Sequence, residues 1–286
     1  MSINLVTVCG HNTTMLRHML NHYKDIVDEI FVVVYLSSNK DKVLSEVKQI
    51  TKDLNIDIHD TTIEEPFNWE RVTELYNQTK LLKPNDWWIV SDDDEFHFYP
   101  KPINELIDEC EEYGYKFITG AFLDRIGAGG SFPTITEDSD IFKDFPLGGS
   151  FRHIVSNACP NKTVVTKGEI QVTNGQHYAK IDDDDTYGDK WNHPLRYPVD
   201  KCFIQVHHFK WDISVISRIR DVSRIKKSYT YHEEYKKMFD YIMDNNGYID
   251  ISDKRFMIEE VKKNYYDYSQ LDKIRTQSLE FRTGVN

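Results

Sequence analysis

The chain has 286 residues, of which 40% are hydrophobic and 29% charged, a composition typical of a folded globular protein with one large or two modest domains. Its formal net charge of -12 argues against nucleic acid or an anionic membrane as the main partner, although a bound divalent cation can reverse the sign locally. The 4 cysteines form no C-x-x-C pair, which fits a reducing, cytoplasmic location, and no apolar stretch is long enough to predict a membrane span.

Strand and helix patterns alternate through the first half of the chain. Apolar and β-branched runs predict strands at residues 3–8, 30–36, 55–60, 86–90 and 115–123. Helical spacing of apolar residues predicts the intervening helices, the first capped by Asn12 or Thr13 and the last bounded by Pro102 and Gly114. This alternation predicts an α/β fold with a mostly parallel central sheet and helices on both faces. Ligands of such sheets bind at the carboxyl ends of the strands.

The second half of the chain has a different residue pattern. Residues 127–209 are rich in glycine and proline and predict loops with a few antiparallel strands, but no good helix. Helical patterns return at residue 212, where a basic stripe that begins at Arg218 is expected to be the solvated face of an amphipathic helix. We therefore expect a catalytic domain over residues 1–211, divided into halves 1–125 and 126–211, and a helical C-terminal extension over residues 212–286.

The most informative feature is an acidic run, DDDE at residues 92–95, directly after the apolar strand WWIV. Adjacent carboxylates beside a buried strand repel one another unless a cation neutralises them. Because alternate residues of an extended chain share a side, Asp92 and Asp94 can bind one ion while Asp93 points toward a ribose hydroxyl or the backbone. Oxygen ligands of this kind suit Mn²⁺ or Mg²⁺. The alternative is a solvated turn, which does not require an apolar strand immediately before it.

The acidic run belongs to an ordered set of motifs. DDDEF follows the strand, FLDRIGAGG comes about thirty residues later, and VHHFKW lies at residues 206–211. This set resembles the motifs of GT-A fold glycosyltransferases, most closely a subgroup related to family 2 that carries D-x-D-E-F, and the likeness covers roughly residues 1–212. The resemblance implies a GT-A (Rossmann-like) fold and a nucleotide-diphosphate sugar donor, with a UDP-sugar favoured. It also implies a divalent cation that bridges the donor phosphates to Asp92 and Asp94, with His208, or next His207, completing the metal shell.

Several residues are candidates for contacts with the donor. The first strand-to-helix loop offers backbone N–H groups to the nucleotide at Cys9, Gly10, His11 and Asn12. Arg71 could pair with a phosphate as a bidentate donor, and Asn77 could bond the base or ribose, although both could be surface residues of their helix. Family 2 usually places an acidic residue after its second strand, where this chain has YLSSNKD. The nucleobase contact is therefore open among Asp41, Asp57 and Asp60.

Inverting sugar transfer needs a base that takes the proton of the acceptor hydroxyl. Asp124 in FLDRIG is the first candidate, because it follows a strand and Arg125 beside it could keep it ionised, although the two could also form a structural pair. The second acidic block, IDDDDTYGD, offers Asp183 among its four consecutive aspartates. His177 in TNGQHYA could act as the base or contact the acceptor.

The sequence therefore predicts a glycosyltransferase of the hexosyltransferase type that transfers a sugar to a glycan or protein hydroxyl, with inversion expected from the family 2 likeness. One alternative is a metal-dependent phosphoesterase or nucleotidyltransferase that uses the same carboxylates. Such an enzyme ordinarily needs a second metal about 4 Å away, and the sequence has only one clear cluster. The other alternative is a non-catalytic module of the same fold that binds sugar nucleotide or glycan.

Overall fold

The structure is a computed structural model that describes residues 1–37, 41–65, 67–181, 193–225, 231–262 and 267–283. In the first half, strands and helices alternate as predicted, in the order β1 (Ile3–Cys9), α1 (Leu16–Tyr23), β2 (Glu29–Leu36), α2 (Asp41–Asp53), β3 (Ile58–Ile63), α3 (Trp69–Lys80) and β4 (Trp87–Val90). These strands lie side by side in the order β3-β2-β1-β4, and every pairing among them is parallel. The parallel half predicted from β-branched runs is therefore present.

Helices cover both faces of this parallel half. Leu5 on β1 packs in one apolar cluster with Leu16 and Leu20 of α1. The next residue on β1, Val6, packs on the other face in a second cluster with Leu75 of α3. Since successive side chains of a strand point to opposite faces, a strand buried on both sides reads as a continuous apolar run. This explains the pattern INLVTVC, and it confirms the predicted α/β fold with helices on both faces of the sheet.

The second half adds antiparallel strands to the same sheet. Its elements are β5 (Glu95–Phe98), α4 (Ile103–Tyr113), β6 (Phe117–Ile126), α5 (Ile141–Asp144), β7 (Leu147–Gly149), α6 (Phe151–Ser156), β8 (Asn161–Lys167), β9 (Gln171–Val172), β10 (Ala179–Lys180) and β11 (Ile204–His208). Strand β8 runs antiparallel between β4 and β6, and β11 lies between β5 and β6. Strands β9 and β10 form a separate small sheet. Helices α5 and α6 occur where the sequence predicted none, because helices of 4 and 6 residues are too short to show a clear apolar period.

The C-terminal region contributes both helices and a strand, namely α7 (Ile213–Ile225), α8 (His232–Asp244), β12 (Glu259–Glu260) and α9 (Leu271–Thr283). Strand β12 pairs with β7, so this region extends the ten-stranded sheet of the described residues. Ile274 of α9 packs with Ala121 and Leu123 of β6. No helix among the described residues is long and apolar enough to cross a membrane.

Two predicted helix boundaries have different outcomes. Pro102 and Gly114 flank α4, and Gly114 has the left-handed conformation expected at a helix C-terminus. Helix α1, by contrast, begins at Leu16 without a side-chain cap. Asn12 instead accepts a hydrogen bond from the backbone N–H of Thr14, at 2.9 Å, and so stabilises the loop before the helix.

The fold places four strand ends at one edge of the sheet. Strands β1, β4, β6 and β11 point in the same direction, so the segment after Cys9, the acidic run after Val90 and His208 at the end of β11 come together. Gly10 is required where β1 ends, because a Cβ atom there would lie 2.0 Å from the carbonyl oxygen of Tyr35 on β2.

Candidate active site

A cavity of about 150 Å³ opens at this edge of the sheet. Its floor is the acidic run, and one wall is the first strand-to-helix loop with Cys9, Gly10 and His11. Aromatic rings line much of the rest, at Tyr35, Phe67, Trp69, Phe122, Tyr231 and Tyr235. The cavity thus joins residues from the parallel half, from β8 and β11, and from the helical C-terminal region.

A buried lysine on β8 holds two carboxylates of the acidic run. The Lys162 ammonium donates to Glu95 Oε1 at 2.6 Å, to Asp92 Oδ2 at 3.3 Å and to the side-chain oxygen of Gln176. The Tyr76 hydroxyl donates to the other oxygen of Asp92 at 2.8 Å. Burial alone would raise the pKa of Asp92, but Lys162 and Tyr76 together lower it below its usual value. Both Asp92 oxygens are therefore engaged, and Asp92 is less suited to bind a metal than the sequence predicted.

The structure groups Asp94 and His208 with Glu95 as possible metal ligands. One ligand atom from each of these three residues lies within 4.8 Å of the others, and His208 Nε2 is 3.7 Å from Asp94 Oδ1. The strand register explains the grouping, because His208 of β11 pairs with Glu95 on β5 and with Asp124 on β6. Two carboxylates and one imidazole are a donor set that fits a divalent cation.

Asp124 orients the His208 ring. Its Oδ1 accepts hydrogen bonds from His208 Nδ1 at 3.2 Å and from Trp211 Nε1 at 3.0 Å, and its Oδ2 accepts the backbone N–H of Arg152 at 2.9 Å. Because a carboxylate only accepts, Nδ1 carries the proton and Nε2 keeps its lone pair toward Asp94. Burial lowers the pKa of His208 although Asp94 and Asp124 oppose this shift, so the neutral imidazole is favoured. A histidine held in this way is prepared to bind a metal.

The same contacts correct the expectation that Asp124 is the catalytic base. Its carboxylate is buried and saturated by three donors, and it does not line the cavity. Arg125, which was expected to keep it ionised, points to the opposite face of β6, where it contacts His207 Nδ1 at 3.0 Å and the carbonyl oxygens of Phe145, Leu147 and Val261. Alternation along the strand separates the two neighbours. It also places His207, the second choice for a metal ligand, away from the cavity.

The charge of the acidic run is only partly neutralised. Burial, together with the negative charges of Asp94 and Asp92, raises the pKa of Asp93 well above its usual value, against the opposing effect of Arg218. Asp93 lines the cavity. A cation bound at Asp94 and His208 would relieve this repulsion, so the electrostatics of the run favour metal binding.

Two basic side chains from the C-terminal region, Lys210 and Arg218, also line the cavity. Lys210 donates to the Tyr235 hydroxyl at 3.1 Å, and the Arg218 guanidinium lies 5.8 Å from the ring centre of Trp69. Within the described part of the chain, neither Lys210 nor Arg218 has an ion pair, and Arg218 Nε has no hydrogen-bond partner. Arg218 therefore faces the cavity, which corrects the expectation that the basic stripe is only a solvated face. Arg220, two residues along, is exposed as predicted.

Of the other residues predicted to contact the sugar donor, one lies beside the cavity and two lie outside its lining. Asn12 lies beside the cavity, where its side-chain N–H donates to Ser214 Oγ at 2.8 Å. Arg71 lies outside the cavity lining and pairs with Glu74 at 2.9 Å. Asn77 also lies outside, and its side chain exchanges two hydrogen bonds with the backbone of Val172, so it joins α3 to β9. Both residues are already satisfied by protein groups, which explains why they do not point into the cavity.

The structure also distinguishes among the candidates for the nucleobase contact and among those for the catalytic base. Asp57 and Asp60 lie outside the cavity lining near β3, and the side chain of Asp41 lies outside the described residues. Asp183 and its acidic block lie outside the described residues as well. His177 does line the cavity, and its Nδ1 lies 2.8 Å from the carbonyl oxygen of Asn161. Because a carbonyl oxygen only accepts hydrogen bonds, Nδ1 carries the proton of the neutral ring and Nε2 is unprotonated.

Sequence reasoning missed the basic residues of the site. Lys162 stands in the strand pattern NKTVVTK, where a charged residue inside a buried strand is the one available signal that it has a partner. Lys210 follows the histidine pair directly and could have been included with it. For Arg152 and Arg218 no local signal exists, because only the packing of α6 and α7 turns them toward the acidic run.

Comparisons with known proteins do not identify a family. No family profile matches the chain, and no curated protein matches it. Among solved structures, S. aureus TarS aligns with a TM-score of 0.33 and 12% identity over 89% of this chain and 45% of that chain. A mannose-6-phosphate isomerase from Helicobacter pylori aligns with a TM-score of 0.30 and 12% identity over 59% and 72%. A 4-diphosphocytidyl-2C-methyl-D-erythritol synthase aligns with a TM-score of 0.28 and 14% identity over 58% and 75%. Similarity at this level carries no argument about function, which therefore depends on the site itself.

Proposed function

We propose that the protein is a metal-dependent glycosyltransferase that transfers a sugar from a nucleotide-diphosphate donor, with a UDP-sugar favoured, to a glycan or protein hydroxyl. One observation carries the proposal. Four carboxylates and four basic side chains line the same cavity, so their formal charges cancel when every group is ionised. One divalent cation would leave the site with two positive charges, and the diphosphate of a nucleotide sugar supplies two negative ones.

The residues that would hold the cation are Asp94 and His208, with Glu95 shared between the ion and Lys162. When bound, Mn²⁺ or Mg²⁺ supplies Lewis-acid stabilisation of the negative charge on the departing diphosphate. Lys210 and Arg218 have donors that no carboxylate of the described residues occupies, so they can bind phosphate oxygens of the donor.

The aromatic residues of the cavity support a nucleoside subsite. Phe67 packs against both His11 and Trp69, with ring centres 5.4 Å and 4.7 Å away. These rings lie above the ends of β1 and β2, where nucleotides bind in sheets of this kind. A uracil base can stack on such a surface, and backbone N–H groups of Gly10 and His11 can bond it. Cys9, at the end of β1, borders the cavity, but most of its side chain packs in the apolar core.

For the chemical step, His177 is the proposed base. Its Nδ1 lies 2.8 Å from the carbonyl oxygen of Asn161 and carries the proton of the neutral ring, so Nε2 is the atom that would take the proton of an acceptor hydroxyl. The hydroxyl oxygen would then attack the anomeric carbon, and the bond to the diphosphate would break with inversion. Asp183 remains an alternative base and lies outside the described residues.

Product analysis tests this function. The protein is incubated with UDP-sugars and Mn²⁺, with and without glycan acceptors, and the nucleotide product is identified. A glycosyltransferase releases nucleoside diphosphate, whereas a phosphoesterase or nucleotidyltransferase breaks a phosphate bond and yields sugar phosphate or nucleoside monophosphate. We expect Asp94→Asn to lower the release of UDP by about 100-fold or more. Asp60→Asn, at an exposed carboxylate outside the cavity, is the matched control. Sugar phosphate as the main product would contradict the proposal.

A further inference from the structure

Lys162 is an unusual residue to find at a metal site. It is fully buried, and all three donors of its ammonium group are occupied by Glu95, Asp92 and Gln176. Two of these three partners are carboxylates, so the ammonium group lies between opposite charges. The proposed chemistry does not require this group to touch the donor or the acceptor. Lys162 must therefore act through the carboxylates of the acidic run that it binds.

Two-metal enzymes bind their second ion with carboxylates about 4 Å from the first ion. Besides Asp94, the carboxylates that line this cavity are Asp92, Asp93 and Glu95. Two of them, Asp92 and Glu95, converge on the same point, where the Lys162 ammonium lies. The Lys162 nitrogen lies 3.3 Å and 2.6 Å from oxygens of these two residues, which is within the space that a second cation would need. The acidic run thus has enough carboxylates for two divalent ions, but Lys162 already binds two of its four carboxylates.

We propose that Lys162 is a specificity-determining residue: its ammonium group occupies the position of a second divalent cation and restricts the acidic run to one metal ion. This inference rests on the proposed function, because it assumes that Asp94 and His208 bind one ion. The charge balance agrees with it. A second divalent ion added to the present side chains would leave two uncompensated positive charges after a nucleotide-diphosphate sugar has bound.

A single ion limits the chemistry that the cavity can perform. Two ions clamp the attacking and the leaving oxygen of a phosphoryl group, which is the arrangement that phosphoesterases and polymerases use. One ion can stabilise only one of them, the leaving diphosphate. Lys162 therefore directs the same carboxylates toward sugar transfer and away from cleavage at phosphorus.

The number of bound Mn²⁺ ions tests the inference without any assay of activity. Titration followed by electron paramagnetic resonance measures the equivalents of Mn²⁺ bound to wild type, Lys162→Met and Lys162→Gln. The two variants remove the charge, and the glutamine keeps an N–H donor for Glu95. Lys80→Met is the matched control, because Lys80 is equally buried but bonds Thr166 Oγ1 and the carbonyl oxygen of Ile170, outside the cavity.

We expect wild type and Lys80→Met to bind one equivalent of Mn²⁺. Each Lys162 variant that is folded, as judged by circular dichroism, should bind two equivalents. One equivalent in a folded Lys162 variant would overturn the inference while leaving the proposed function intact. Two equivalents in wild type, detected as a coupled manganese pair, would overturn it whether or not the variants fold. No binding by wild type would instead contradict the metal site on which the proposed function depends.

Discussion

At the scale of single residues, the site depends on how neighbouring strands place their side chains. His208, Glu95 and Asp124 are adjacent across three strands, and this register puts a carboxylate on each side of one imidazole. Glu95 faces the cavity together with Asp94, and Asp124 orients the imidazole through its Nδ1 atom. Asp124 is therefore a positioning residue, and its removal should affect metal binding rather than proton transfer.

The Asp124→Asn variant tests this role. An asparagine cannot accept all three hydrogen bonds that the carboxylate accepts, so the His208 ring loses its fixed orientation and tautomer. We expect the affinity for Mn²⁺ to fall by about 10- to 100-fold, the usual effect of removing such a partner. Calorimetric titration of Mn²⁺ measures the change, with Asp60→Asn as the control. An unchanged Mn²⁺ affinity in folded Asp124→Asn would show that the pair does not orient a metal ligand.

The residues of the site differ in how far sequence could predict them. The acidic run was predicted because it follows an apolar strand, and His208 because the resemblance to GT-A glycosyltransferases implies a histidine ligand near the end of the catalytic domain. Asp124 was placed correctly at a strand but in the wrong role, since its partner Trp211 lies 87 residues away. Lys162 and Arg218 reach the cavity only through the pairing of β8 and the packing of α7, which no local pattern encodes.

At the scale of elements, the junction after β1 has a strict backbone requirement. Gly10 has a φ angle of 150°, and the Tyr35 carbonyl oxygen of β2 occupies the space where a side chain would begin. This close approach brings the loop of Cys9 and His11 against the acidic run. Any larger residue must separate β1 from β2 at the edge where the cavity opens.

We expect Gly10→Ala to lower the free energy of unfolding by roughly 3 kcal/mol, because a core strand must shift to accept the methyl group. Gly114→Ala is the control. Gly114 also has a positive φ angle, of 76°, but a Cβ atom there meets nothing within 4 Å. Its substitution should cost only about 1 kcal/mol of left-handed strain. Urea denaturation measures both values, and equal losses for the two variants would refute the close-approach argument.

A second buried lysine, at the end of helix α3, forms a hydrogen bond with β8. Lys80 donates to Thr166 Oγ1 at 2.9 Å, and burial lowers its pKa to about 7. In the unfolded chain a lysine has a pKa of about 10.4. Between these two values the unfolded state binds one proton more than the folded state, so this residue makes the free energy of unfolding rise with pH.

The Lys80→Met variant should lack that rise. We expect the stability of wild type relative to Lys80→Met to increase from pH 7 to pH 9 by roughly 2 kcal/mol, at most about 1.4 kcal/mol for each pH unit. Urea denaturation at several pH values gives the difference. Lys237→Met, at an exposed lysine of α8, is the control for losing a positive charge. A difference that stays constant or falls with pH would contradict a depressed lysine pKa.

At the scale of the whole molecule, one sheet combines two kinds of construction. The parallel half follows directly from alternating strands and helices, because consecutive elements are neighbours in space. In the other half, β5, β7 and β8 run against the remaining described strands, and β11 is inserted between β5 and β6. Those pairings join segments far apart in the chain, so the sequence could predict antiparallel strands there but not their order. The cavity lies where the two halves meet.

The central claim is that the acidic run binds a nucleotide diphosphate through one divalent cation. Calorimetric titration of UDP in the presence and absence of Mn²⁺, on wild type, Asp94→Asn and the control Asp60→Asn, tests it most directly. We predict that wild type and the control bind UDP only with Mn²⁺, and that Asp94→Asn loses this binding while remaining folded. Binding of UDP with equal affinity with and without Mn²⁺, or by Asp94→Asn as tightly as by wild type, would contradict the account.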